Sequence, residues 1–343
     1  MSIESTSAAN SNQSGSKIPL YGIVKFSPWL CCAADALGCS VEVSVGGIKG
    51  TLTLPSLPEW GPKEEDPLHK PLLGPSEART WKEGEDLMFW GMPHSYPDGE
   101  SAVEQALFEF ALEPDSFESA TLRIQAGFWP WLDLFEKYVI LLCTKGRSSR
   151  VTLDNARANQ IQLLHLDDSK RAFKHITYPR NLIISLASGG DLRREQFEEI
   201  SRMSSELLPP CLEYLLLIEA YIALKDEDYR KAIIEAANAL EVSLTNRILE
   251  EFKTQGVVYG EKILEKFRML GGRFDLARTV GIPLPDKDYK KLVMEPRNNV
   301  VHKAGFPDRK LAQQVISDVD ELLKLFSPKI HENSPTSESS VRN

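Results

Sequence analysis

The chain has little that would place it in a membrane, around a metal or on a disulfide framework. No apolar run approaches the roughly 18 residues of a membrane span. The best one, Tyr138 to Cys143, is far too short. The start, Met1-Ser2-Ile3-Glu4, lacks the basic region and apolar core of a secretory signal, so a cytoplasmic protein with no membrane partner is expected. Cysteine is sparse, with five residues at irregular spacing. Cys31, Cys32 and Cys39 have no fourth ligand at a usable distance, and the nearest histidine is His69. Free thiols are expected, and no metal. Phosphate loops, zinc signatures and nucleophile elbows are missing, so no cofactor is implied. His94, His165 and His175 stand alone and read as structural. Positive charge is in deficit: the formal net charge is −9, which argues against a general nucleic-acid coat protein. Tryptophan is missing after Trp131, which points to two cores of different packing.

What is present fits an α+β chain of two domains. A length of 343 residues makes two domains the natural division, and an apolar fraction of 42% suffices for ordinary cores. Residues 1–16 and 328–343 are Ser/Asn/Thr-rich and expected to be disordered. Residues 17–190 read as a β-rich N-terminal domain with a bracing helix. Tyr21 and Ile23 lie on a strand. Val41, Val43 and Val45 alternate with polar residues, Gly46-Gly47 follow, and Ile48 to Leu54 alternate again. Paired glycines between alternating runs predict a tight hairpin. Phe108, Phe110 and Leu112 predict a strand, and Thr121 to Ile124 another. From Phe128 to Cys143 the spacing turns helical. Ile161 to Leu166 and Leu182 to Leu186 read as strands, and Asp191 as the cap of the next helix.

Residues 191–327 read as an all-α bundle. Pro209-Pro210 starts one helix. Asp226 to Asp228 turn the chain into a long helix that buries Ala232, Ile233, Ala236, Leu240, Leu244 and Ile248. A helix from Glu261 to Leu270 is expected to stop at Gly271-Gly272. Asp286 is expected to cap the next helix, with a kink or restart at Pro296. Gly305 ends that helix. Asp308 caps the last one, with Leu311, Val315, Val319, Leu322 and Leu323 inside.

The chemistry concentrates in Glu295-Pro296-Arg297-Asn298-Asn299-Val300-Val301-His302-Lys303-Ala304-Gly305. Histidine is the side chain suited to proton exchange near neutral pH, and the arginine fork fits phosphate oxygens. Together they are the minimum equipment for cutting RNA without a metal. Asn298 and His302 stand at i and i+4, so the amide could orient the imidazole. Arg297 and His302 are about 140° apart around a helix and flank a groove. They converge only if the arginine reaches round or two copies face each other. Pro179-Arg180-Asn181 repeats the tripeptide, but no histidine follows. Blander readings stand beside these. His302 can be a helix-end histidine bonded to a carbonyl, and Arg297 can pair with Glu295 or Glu241. From Lys262 to Lys303 the chain carries about five more cations than anions, which suits either RNA or an ordinary solvated face.

The R-N-x-x-x-H run resembles the signature of the HEPN superfamily, small helical domains that include many metal-independent ribonucleases. Asp228-Tyr229-Arg230-Lys231-Ala232, leading to Glu241, resembles that family's first long helix. The whole chain is most similar to the ApeA-like branch, with a β-rich front and a HEPN domain behind. The resemblance covers about residues 206–327. It implies an endoribonuclease that uses the ribose 2′-OH and leaves a 2′,3′-cyclic phosphate. Arg297, Asn298 and His302 would be catalytic and Glu241 supporting. RNA is the implied partner, with a homodimer formed through the helical domain. The front domain would sense a trigger ligand or protein, such as a phage product, in anti-phage defence. The alternative is a non-catalytic RNA- or nucleotide-binding and dimerisation module of the same fold.

Overall fold

The computed structural model describes residues 17–57, 90–93, 101–143, 162–166, 173–176, 192–303 and 305–327. Its first part is an antiparallel sheet. The strands are β1 (Ile18–Cys32), β2 (Ser40–Val45), β3 (Ile48–Thr53), β4 (Gly91–Pro93), β5 (Ser101–Leu112), β6 (Gln162–Leu166) and β7 (Phe173–Ile176). They lie in the order β2-β3-β5-β1-β6-β7, with β4 beside β5. β1 and β5 pair from Ile18↔Leu112 to Lys25↔Gln105, and again from Leu30↔Val103. The register shifts between these blocks, where Pro28 has no N–H to give the ladder.

The hairpin forms where the glycine pair stands, with φ of 60° at Gly46 and 74° at Gly47. These left-handed values suit the twist of a two-residue turn. Val41, Val43 and Val45 face inward.

A single long helix, α1 (Phe117–Cys143), lies over the sheet. The strand expected at Thr121 to Ile124 is the start of this helix. Thr121 Oγ1 donates to the Phe117 carbonyl at 2.7 Å, and Ala120, Ile124, Phe128, Trp131 and Phe135 carry a helical stripe into the core. The stripe meets β5 through aromatic rings: Phe108 lies edge-on to Trp131 at 5.3 Å, and Trp131 stacks on Phe135 at 5.0 Å. A Cβ on Gly127 would fall 2.3 Å from the Gly46 Cα, so glycine on both sides lets α1 cross the hairpin turn.

The helix α2 (Arg194–Ser205) follows. Its N-cap is Arg193, whose N–H donates to Gln196 Oε1 at 3.0 Å; it is not Asp191, which lies outside the described residues. The predicted Leu182 to Leu186 strand and Pro179-Arg180-Asn181 also lie outside them. Leu192, Phe197, Ile200 and Met203 pack into the sheet core. Ser205 Oγ accepts from the Ser44 N–H at 2.9 Å and from Trp131 Nε1 at 3.2 Å. Thus α2, placed with the bundle by the sequence division at 190/191, shares its core with the sheet.

The second core belongs to α3 (Leu212–Lys225), α4 (Tyr229–Thr254), α5 (Gly260–Leu264), α6 (Leu270–Thr279), α7 (Glu295–His302) and α8 (Arg309–Phe326). All six residues expected on the α4 stripe are buried, and α4 packs against α3, α8, α6 and α7. The protein is therefore a mixed α+β chain, a sheet followed by helices.

Three local expectations change here. Gly271 and Gly272 do not stop a helix: they lie in the first turn of α6, and a Cβ on Gly271 would meet the Met294 Cε at 2.6 Å. Asp288, not Asp286, caps the turn before α7, accepting from the Lys291 N–H at 3.2 Å. Leu311 is exposed, while Ala312, Val315, Ile316 and Val319 make the inner stripe of α8. Asp308 does cap α8, accepting from the Leu311 N–H at 2.8 Å.

Candidate functional site

The stretch around Arg297 is shaped by a proline that cannot donate. Lys290–Met294 form a π-helical turn in which the Glu295 N–H reaches the Lys290 carbonyl. Pro296 follows as the second residue of α7, and it has no N–H to give the helical turn behind it. The widened turn ends three residues before Arg297; such turns recur at functional sites.

On α7, Arg297 and Asn298 are half-buried and His302 is exposed. Arg297 Nη1 donates to Asn298 Oδ1 at 3.2 Å. The asparagine thus steadies the guanidinium, whereas the sequence pointed it at the imidazole. No side-chain hydrogen bond or ion pair engages His302 among the described residues, and its ring is open to solvent. The carbonyl bond expected of a merely structural helix-end histidine is absent among those residues.

Glu241 lies elsewhere. It pairs with Arg273 at 3.0 Å, and Arg273 also donates to Thr245 Oγ1 at 2.5 Å. This triad clamps α6 to α4. Glu241 therefore ties α4 to α6, and Arg273, not Arg297, takes its charge.

The last turn of α7 has carbonyls that the helix itself cannot satisfy. The Asn299 carbonyl takes the Lys303 and Gly305 N–H groups, each at 3.1 Å. The Val300 carbonyl takes Arg230 Nη2 at 3.0 Å. The sequence alone assigns Arg230 no role. One signal was available: a cation in the first turn of a helix opposes the dipole and asks for a partner outside its own helix.

The basic run is partly spent in structure. Arg273 is paired with Glu241, Arg278 with Asp275 at 3.3 Å, and Lys287 with Asp318 and Glu321. Lys290, Lys291 and Lys303 are exposed near α7. Apolar groups are exposed in and after α7 too: Val301 is 42% exposed and Phe306 91%.

Among the described residues no three His, Cys, Asp or Glu side chains could hold a metal ion, and no helix is long and apolar enough to cross a membrane. The five cysteines are free thiols. No family model, curated protein or solved structure matches the chain.

Proposed function

We propose that the helical part of this protein is a metal-independent endoribonuclease of HEPN type that works as a homodimer. The observation that carries the reading is the state of α7: a steadied guanidinium and a solvent-open imidazole on one short helix, behind a π-helical turn. Arg297 would neutralise the phosphoryl charge that grows in the transition state. His302 would take the proton of the ribose 2′-OH or give one to the leaving 5′-oxygen. The 2′-oxygen attacks phosphorus, the bond to the 5′-oxygen breaks, and a 2′,3′-cyclic phosphate remains. Asn298 keeps the guanidinium fork in place. Glu241 acts at one remove, through the α4–α6 clamp.

Acid and base are both needed, and residues 191–327 contain one histidine. A second copy supplies the other. The exposed Val301 and Phe306, one residue before and four after His302 in the chain, offer apolar contact for it. The sheet part would hold a trigger ligand or protein and restrain the nuclease, as in anti-phage defence. This last step rests on the family resemblance alone.

A second reading is favoured by the same single histidine. A lone chain has acid or base but not both, and would bind RNA or nucleotide phosphate without turnover. Mixed cellular RNA incubated in EDTA separates the two. Wild type should cleave, and Arg297→Ala and His302→Ala should each lose at least about a hundredfold in rate. RNA that is bound but left intact by wild type would leave only the binding module.

A further inference from the structure

Arg230 lies in the first turn of α4, a place where the helix dipole disfavours a cation. The turn before it is acidic, with Asp226, Glu227 and Asp228 exposed. Yet the one bond its guanidinium makes among the described residues goes past these carboxylates to the Val300 carbonyl, at 3.0 Å. That carbonyl is in the last turn of α7, where helical N–H donors run out. A charge-assisted bond reaches it from outside the helix. It fastens the end of α7 to the start of α4.

His302 follows Val300 by two residues, about 3 Å of helical rise. Whatever fixes the Val300 carbonyl therefore fixes the backbone that carries the imidazole. The start of α4 is itself held firmly. The Asp228 N–H donates to the Ala223 carbonyl at 2.9 Å, closing the end of α3 around Glu227, whose φ is 60°. The Asp228 carboxylate accepts from the Lys231 N–H at 3.0 Å. A continuous series of bonds thus runs from the end of α3, through the cap of α4, to the end of α7.

We propose that Arg230 is a positioning residue for His302, setting where the imidazole stands relative to Arg297. The proposal rests on the RNA-cleaving reading of α7. Arg230 acts through the helix end and needs no contact with substrate. The guanidinium fork suits the task because one corner can hold a carbonyl while the others stay in water.

The test uses the full chain, RNA in EDTA, and the variants Arg230→Ala and Arg230→Lys, with Arg297→Ala and His302→Ala as references. Arg230→Ala should lower kcat by at least about tenfold, the order expected when a reacting group is misplaced by a fraction of an ångström. KM should stay within about threefold, since no binding contact is lost. Arg230→Lys should recover part of kcat, because an ammonium can still donate to the carbonyl. A second readout is independent of turnover: the ¹H–¹⁵N correlation of the His302 imidazole, assigned by its loss in His302→Ala. It should shift or broaden in Arg230→Ala and return toward wild type in Arg230→Lys. Far-UV circular dichroism checks the fold; if the alanine variant does not fold, Arg230→Gln against Arg230→Lys carries the comparison. Wild-type kcat and unchanged His302 resonances in Arg230→Ala would overturn the proposal while the nuclease reading stands. If wild type does not cleave, the nuclease reading falls, and the imidazole spectra alone decide whether Arg230 positions His302.

Discussion

Glu136 offers a test of how the helix over the sheet is packed. It sits on α1, and its Oε1 is buried with no hydrogen-bond partner among the described residues. Burial, with Asp133 adding repulsion and Lys137 partly offsetting it, pushes its carboxyl up to about 8 from a usual 4.5. The native state therefore holds this proton more tightly than the unfolded chain does. Below pH 4.5 both states are protonated and the group is neutral to stability. Between there and pH 8 the native state must keep a proton that the unfolded state releases, so stability falls as pH rises. Each unit is worth about 1.4 kcal/mol, which gives a total loss of about 3–5 kcal/mol. Above pH 8 the native carboxyl ionises as well and the loss levels off. Glu136→Gln keeps the shape and removes the ionisation, so its stability should be flatter with pH across this window. Urea unfolding at pH 5, 6.5 and 8, followed by tryptophan fluorescence, is the assay. Trp131 lies in the sheet core and no tryptophan follows it in the chain, so the bundle adds no tryptophan signal. Equal pH slopes in wild type and Glu136→Gln would refute the reasoning.

Two further substitutions probe backbone features. Glu227 holds φ of 60° at the exposed turn between α3 and α4, so Glu227→Gly should raise stability by about 0.5–1 kcal/mol in urea unfolding of the bundle, followed by circular dichroism. Gly127→Ala would bring a methyl to 2.3 Å from the Gly46 Cα and should lower the stability of the sheet core by about 2–3 kcal/mol, read by tryptophan fluorescence.

What the sequence made legible was mostly local. The β2–β3 hairpin followed from alternation and paired glycines, the buried stripe of α4 from its period, and the α8 cap from an aspartate ahead of an amphipathic run. Errors arose where a distant neighbour decides. Thr121 and Ile124 favour a strand in isolation, but the stripe they share with Phe128 and Trp131 makes them helix. Gly271 looks like a stop, yet it serves a close approach by Met294, far along the chain. α2 joins the sheet core because Phe197 and Ile200 fit there, which no composition shift announces. At the candidate site, the residue types and their helix were legible. The partners were not: Glu241 pairs with Arg273 and Arg230 holds the Val300 carbonyl, both contacts between elements distant in sequence.

The central claim concerns a 2′-hydroxyl, and one substrate tests it most directly. An oligonucleotide with a single ribonucleotide in a DNA strand, incubated with the protein in EDTA, should be cut only after that ribonucleotide. The product should end in a 2′,3′-cyclic phosphate, and His302→Ala should leave the strand whole. Cleavage at deoxy positions, a 5′-phosphate on the downstream fragment, or unchanged cutting by His302→Ala would contradict the account.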